Sequence, residues 1–303
     1  MRGSTKTFAP LATVIPLLIA GVLGPDLQVR PARAFTWTLQ WSDEFSGAAN
    51  TGVDPSQWIY DTGTSYPGGP ANWGTGEVES YSTSTANVYQ DGAGHLVIKP
   101  IHVGKPPTTG WTSGRIETQR LDFAAPAGGA MAVEASIQQP NISGTAAQGY
   151  WPAFWMLGDA YRGNYWNWPG IGEIDLLEDI NGLSKVYGTL HCGTSPGGPC
   201  NETTGFSSGP HACPGCQTAF HTYRIEYDRS VSPEQIRWYL DGAQYYTVSA
   251  NQMDATTWNN ALHHGFFILL DVAIGGGFPG NPTKFTVSAI PMLVDYVRVY
   301  YGS

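Results

Sequence analysis

The stretch GEIDLLEDING, residues 172 to 182, sets three carboxylates, Glu173, Asp175 and Glu178, in an apolar run. On a helix, at about 100° per residue, Glu173 and Asp175 would lie about 160° apart and Glu178 about 140° from Glu173, so no face holds all three. On a regular strand Glu173 and Asp175 share a face and Glu178 points to the other. A β-bulge between Asp175 and Glu178 restores the parity and gathers the acids, with Ile174, Leu176 and Leu177 turned to the core or filling the bulge. The spacing therefore predicts a bulged strand. Four ordinary strand steps of about 3.3 Å put the Glu173 and Glu178 Cα atoms roughly 13 Å apart, and side chains that lean together by about 4 Å each bring their carboxyls to about 5 Å. A retaining glycosidase needs about 5 to 5.5 Å, an inverting one a wider gap for a water.

Two plainer readings compete. A solvated strand face should alternate with Lys, Thr or Ser, but this strand has none and is preceded by Trp166, Trp168 and Pro169. A cation held by three carboxylates is the other reading; catalysis is preferred to both.

The rest of the chain agrees with strands. Charged residues make up 13%, while Gly (38), Pro (22) and aromatics (13%) abound, which disfavours helices and favours strands joined by turns. Short runs bounded by Gly, Pro, Asn and Asp read as strands at FTWTLQW, HLVIKPI, AMAVEASIQ, GEIDLLE, VYGTLHC, FHTYRIEYD, IRWYL, YYTV, GFFILLDVAI and MLVDYVRVYY. Asp241-Gly242 between IRWYL and YYTV predicts a tight hairpin. Helix is expected only as short turns at residues 232–235 and near Met253. The picture is one all-β domain, an antiparallel sandwich over residues 35–303.

Residues 1–34 read as a secretory signal: Arg2 and Lys6, an apolar run from Phe8 to Gly24, and Ala32-Arg33-Ala34 as the cleavage site. The run is shorter than the about 20 apolar residues of a membrane span, so a secreted chain with no membrane partner is expected. A net charge of −9 with 15 scattered Lys and Arg excludes a nucleic-acid surface.

Cys192, Cys200, Cys213 and Cys216 should form two disulfides in an exported protein, with three pairings open. A zinc site using His191, His211 and the Cys213–Cys216 turn is set aside, because the compartment is oxidising and the loop is rich in Gly and Pro. Three motif matches are decoys. Gly193-Thr-Ser195-Pro-Gly197 fits a nucleophile elbow, but Pro196 lacks the N–H an oxyanion hole needs. Gly275-Gly-Gly277-Phe-Pro-Gly280 fits a dinucleotide fingerprint without its βαβ unit. Asp179-Ile-Asn181-Gly182 hints at a calcium loop whose opening position is Leu177. Sugar rings lie on aromatic faces, and Trp73, Trp151, Trp155, Trp166 and Trp168, in or near Gly/Pro-rich turns, are the candidates for a cleft.

Taken in order, Glu173-Ile-Asp175-Leu-Leu-Glu178 with WSDEF (41–45), Asn72, Glu77 and Glu79 ahead of Tyr81, TSGRI (112–116), YWPAFWMLG (150–158), LHCG (190–193), FHTYRIEYD, WYLDG, FILLDVAIGG and DYVRVY resembles glycoside hydrolase family 16. The bulged E-x-D-x-x-E form is that of its laminarinases and of some marine-galactan hydrolases. The resemblance implies a β-jelly-roll sandwich with a cleft across its concave sheet, and a monomer that hydrolyses a β-glucan polysaccharide without a cofactor. It makes Glu173 the nucleophile, Glu178 the general acid/base and Asp175 their partner. Physical reasoning concurs, with crowding by the other carboxyls raising the pKa of Glu178. The resemblance places Trp151 and Trp155 at the scissile bond, Arg115 and Asn72 on sugar hydroxyls, and His191 toward the leaving group. It also implies a structural calcium at Glu44, Gly94 and Asp295, with side-chain ligation from Asp295 alone. Asp271, where many relatives have Asn, and the long Cys192–Cys216 loop depart from the pattern and put the polymer in question. A galactan or mixed-linkage glucan hydrolase is one alternative, and a non-catalytic glucan-binding module another. Asn141 and Asn201 lie in glycosylation sequons, conditional on the source.

Overall fold

β-Branched and aromatic runs between turn residues fit a pleated, half-buried surface, and the computed structural model is built almost wholly of them. It describes residues 35–303; the signal segment read from residues 1–34 lies outside these. Two eight-stranded sheets dominate, with antiparallel pairing throughout. The first runs Ala243–Ser249, Gln235–Leu240, His221–Asp228, Ala130–Gln138, Met292–Gly302, Leu96–Ile98, Val88–Gln90, with Trp37–Asp43 also on Met292–Gly302. The second runs Phe206–Ser207, Lys185–His191, Glu173–Glu178, Tyr150–Gly158, Phe266–Ile274, Arg115–Thr118, Trp58–Tyr60, with His211–Ala212 on Lys185–His191. Their inner faces meet in one core, where Phe154, Ile174 and Ile268 of the second sheet join Val133, Ile225 and Val297 of the first. This is the β-jelly-roll sandwich expected from the sequence. The Asp241-Gly242 turn has both φ angles positive, as its hairpin requires.

One strand was illegible in advance and helix was half-read: the turns expected near Met253 are a short turn at Ala250–Gln252 and an eight-residue helix, whereas residues 232–235 form none and Gln235 already opens a strand. Tyr150–Gly158 is a central strand although Pro152 argues against one. The helix Ala255–Leu262 buries only Trp258, Ala261 and Leu262, too few to show a period, and is started by Asp254, whose carboxylate accepts from Thr257 N at 3.0 Å.

Phe266–Ile274 is buried at every position. An antiparallel strand usually alternates, but here the outer face is also covered. A satellite core of Tyr66, Trp73, Tyr81, Leu157, Tyr161, Phe267 and Leu269 lies over that part of the second sheet. Loops from both sides of the sequence thus roof one flank of the sheet and leave its other flank, with Glu173–Glu178, open.

The residues of the expected calcium site converge at one break in the first sheet. Met292–Gly302 pairs with Leu96–Ile98 up to Val294 and with Trp37–Asp43 from Val297 onward. Asp295 sits between, at a register shift; Glu44 follows one of those partner strands and Gly94 precedes the other. The Glu44 carboxylate is taken by Arg298 in a two-armed pair of 2.9 and 2.7 Å, which holds its pKa low. Glu44 can therefore offer only its carbonyl, and Asp295 the one free-standing carboxylate.

Candidate active site

Along Glu173–Glu178, Asp175 faces Thr189 and Glu178 faces Tyr187, three residues on one strand against two on the next. On the other side Trp155 pairs with Asp175 and Phe154 with Leu177, which leaves Leu176 as the extra residue. The bulge read from the sequence is present, and it sends Ile174, Leu176 and Leu177 inward with at most 1% exposure. At its start the Asp175 carbonyl accepts from the Trp238 indole N–H, which reaches across from the first sheet. Gly188 faces the bulge, and a Cβ there would lie 2.6 Å from Trp238 Cδ1 and 2.7 Å from the Tyr245 hydroxyl. Only glycine leaves the indole its place.

Each acid has its own partners. Trp151 Nε1 donates to Glu178 Oε1 at 2.9 Å and Trp168 Nε1 to Glu173 Oε2 at 3.2 Å. Asp175 is 3% exposed, and its Oδ2 has no hydrogen-bond partner. His191, on the neighbouring strand, brings Nε2 to 3.5 Å from Asp175 Oδ2 and 3.8 Å from Glu173 Oε1. Its Nδ1 lies 2.7 Å from Glu202 Oε2.

Burial is the largest cause of raised pKa at all three acids. Glu173 is pushed up to about 7, by burial first and by the charges of Glu178 and Glu202, against the lowering pull of His191 and Arg115. Asp175 is held well above the usual carboxylate range by burial, then by Glu178, Glu173, Glu202 and Asp271. Glu178 is raised by burial and lowered by His191 and the Trp151 hydrogen bond. His191 rises to about 9: burial opposes its charge, but the Glu202 hydrogen bond and the charges of Glu173, Glu202 and Glu178 outweigh burial. One oxygen each of Glu173 and Asp175 and a nitrogen of His191 lie within 4.8 Å of one another, a spacing that would suit a cation. A positively charged ring at that point opposes one.

The other candidate residues divide between cleft and underlayer. Trp151 and Trp155 are half-buried, with Trp155 Nε1 donating to Asp271 Oδ1 at 2.7 Å. Trp166 stands at the rim, 70% exposed, its Nε1 on the Gly68 carbonyl. Asn72 is exposed in a left-handed turn with φ 51°. Two expectations are corrected. Arg115 does not reach into the cleft: it is 4% exposed, bound to Asp61 at 2.9 Å and to the Tyr66 hydroxyl, and its guanidinium lies 4.5 Å from the Trp73 ring centre and 4.8 Å from that of Trp155. Trp73 likewise belongs to the satellite core, packed on Tyr66 and Tyr81. A buried guanidinium needs a carboxylate partner, and Asp61 supplies it.

Sequence reasoning missed Glu202, Trp238 and Phe278. Glu202 has no exposed side-chain surface and binds the Cys192 N–H as well as His191. The cysteines pair as Cys192–Cys200 and Cys213–Cys216, so the thiolates a zinc site would need are absent. The Gly275–Gly280 turn also carries Phe278, 42% exposed and edge-on to Trp151 and Tyr187. A Gly-rich turn gives no local sign of lying beside a site.

Comparison with known proteins agrees with this geometry. A family profile described as "XgeA-like, catalytic GH16 domain" matches residues 141–219, which span the bulged strand. The crystal structure of an endo-1,3-beta-glucanase from Streptomyces sioyaensis superposes with a TM-score of 0.85 at 57% identity, covering 90% of this chain and 99% of that one. A beta-glucanase of Rhodothermus marinus is 30% identical over 97% of this chain and 95% of its own length. Glucan endo-1,3-beta-glucosidase A1 of Niallia circulans is 35% identical over 86% of this chain, which spans 37% of that longer protein. The chain thus belongs to glycoside hydrolase family 16, on its laminarinase-like branch.

Proposed function

We propose that the chain is a secreted, retaining endo-1,3-β-glucanase. The observation that carries this reading is the bulge between Asp175 and Glu178, which sets three carboxyls on one face of the strand beside Trp151, Trp155 and Trp168. The names of the Streptomyces and Niallia relatives support β-1,3-glucan as the polymer.

In the proposed reaction Glu178 gives its proton to the glycosidic oxygen while the Glu173 carboxylate attacks the anomeric carbon, and the leaving sugar departs. Water then gives a proton back to Glu178, attacks the same carbon and frees Glu173 with net retention. Asp175, whose pKa burial and then the charges of Glu178 and Glu173 raise, would stand between the two glutamates as their hydrogen-bonding partner. The groups titrate together, so their apparent pKa values belong to the set. Indole rings at Trp151, Trp155 and Trp168 would carry sugar faces, Trp166 an outer one, and Asn72 sugar hydroxyls. Calcium, a hard cation that takes oxygen ligands, would be held by the Asp295 carboxylate and the Glu44 and Gly94 carbonyls, where it would fasten a strand junction and take no part in the reaction.

Incubation with laminarin, curdlan, mixed-linkage glucan and a galactan tests the assignment. Short β-1,3-oligosaccharides from laminarin, lost in Glu173→Gln, are expected. Turnover of only the galactan or the mixed-linkage glucan would transfer the mechanism to that polymer. Binding without turnover would mark a recognition module.

A further inference from the structure

His191 has a carboxylate at each ring nitrogen. Glu202 meets Nδ1 at 2.7 Å, and on the other side Asp175 and Glu173 stand 3.5 and 3.8 Å from Nε2. A neutral imidazole that donates to Glu202 would turn its lone pair toward Asp175 and Glu173; the doubly protonated ring donates to Glu202 and sets positive charge against the other two. Glu202 is itself fixed. Its side chain has no exposed surface, its Oε1 accepts from Cys192 N at 2.9 Å, and the Cys192–Cys200 disulfide ties the chain two residues before it to the end of the His191 strand.

We propose that Glu202 is a positioning residue for catalysis: it holds the proton on His191 Nδ1 and thereby keeps an imidazolium against Glu173 and Asp175. The assignment rests on the reading of Glu173 as the nucleophile. Glu173 sits in a buried site where its anion is disfavoured, and a fixed positive charge beside it opposes that cost. The groups that face His191 are Glu202 from the disulfide loop and Glu173, Asp175 and Glu178 from the adjacent strand, with the Trp168 ring 5.6 Å away. Arg115, on the far side of Glu173, acts on that carboxylate in the same sense as His191. The long cysteine loop, which the sequence tied to the choice of polymer, would then also serve as a bracket that brings one buried carboxylate to the histidine.

The test combines Glu202→Gln with a direct titration. In the intact enzyme with labelled histidine, NMR should show His191 charged at pH 7, titrating near 9 as its surroundings dictate. The amide introduced by Glu202→Gln can still accept from Cys192 N but carries no charge, so the His191 midpoint should fall below pH 7 and leave the ring neutral there. With that ring neutral the acid limb of kcat/KM should move to higher pH, because the His191 charge acts on Glu173 more strongly than the Glu202 charge does, with about tenfold lost for each unit on its acidic side. Glu202→Asp, which keeps the charge, should leave His191 protonated at pH 7. A neutral His191 at pH 7 in the unaltered enzyme would overturn the proposal, even if the Glu202→Gln variant failed to fold. So would a folded Glu202→Gln enzyme that loses thermal stability alone, with both titrations unmoved. Full turnover by Glu173→Gln would sink the nucleophile assignment instead, and would not bear on the His191 charge measured in the unaltered enzyme.

Discussion

The Trp238 indole N–H donates to the carbonyl of Asp175 at 2.7 Å, from one sheet of the sandwich to the other. The bulge that gathers the three acids is therefore fastened from the core side, at the residue in the middle of the trio.

That fastening depends on Gly188. In Gly188→Ala the new methyl group would press on Trp238 and Tyr245, an overpacking that costs about 1 to 3 kcal/mol. Urea unfolding should register that loss. Turnover should fall more than KM rises, since the bulge aims the acids without binding the polymer. A folded Gly188→Ala enzyme with unchanged kcat would show that the bulge holds its shape without the indole.

Trp151→Phe removes the hydrogen bond that Glu178 accepts. This bond favours the ionised form and lowers the Glu178 pKa, so its loss raises it. The alkaline limb of the rate profile, where the acid loses its proton, should shift to higher pH. A shift to lower pH in the measured profile would contradict the role given to Glu178.

Arg115→Ala should act on stability. It leaves Asp61 as a buried carboxylate without its partner, and breaking such a pair costs about 3 to 5 kcal/mol. Thermal denaturation should show a large loss. A folded variant whose main defect is a raised KM would return Arg115 to the cleft.

Stability should be greatest in mildly acidic solution. Burial raises Asp179 and Asp271 to about 7, so between about pH 4 and pH 7 the native state holds protons that the unfolded chain, with Asp near 3.9, has released. Their contribution is full below the unfolded value and is lost as pH rises through about 7. Glu234 works in the opposite sense: four hydrogen bonds outweigh its burial and lower it to about 2, so its contribution is lost as pH falls toward that value. Asp271→Asn should flatten the decline in melting temperature between pH 4 and pH 8. An equally steep decline would assign it to other groups.

The strands, the hairpin at Asp241-Gly242 and the bulge were legible because each is written in local parity or in one dipeptide. Asp175 and Glu178 are three residues apart, and only a bulge makes that spacing work. Arg115 and Trp73 were misplaced because their burial is set by loops from residues 61–81 and 159–171 folded over the outer face of the second sheet, which no local pattern reports. Trp238 lies 63 residues from the carbonyl it meets, and Glu202, 11 residues from His191, meets it across a turn that the Cys192–Cys200 disulfide braces. Pro152 concealed a central strand and a polar surface concealed the helix Ala255–Leu262. What remained hidden was fixed by contacts between distant segments.

The most direct test of the central claim is to trap the intermediate. A 2-deoxy-2-fluoro β-1,3-glucosyl donor with a good leaving group should accumulate a covalent adduct, and peptide mass spectrometry should locate the label on Glu173. Label on Glu178 or on any other side chain, or release of the α-anomer as first product with no adduct, would contradict the account.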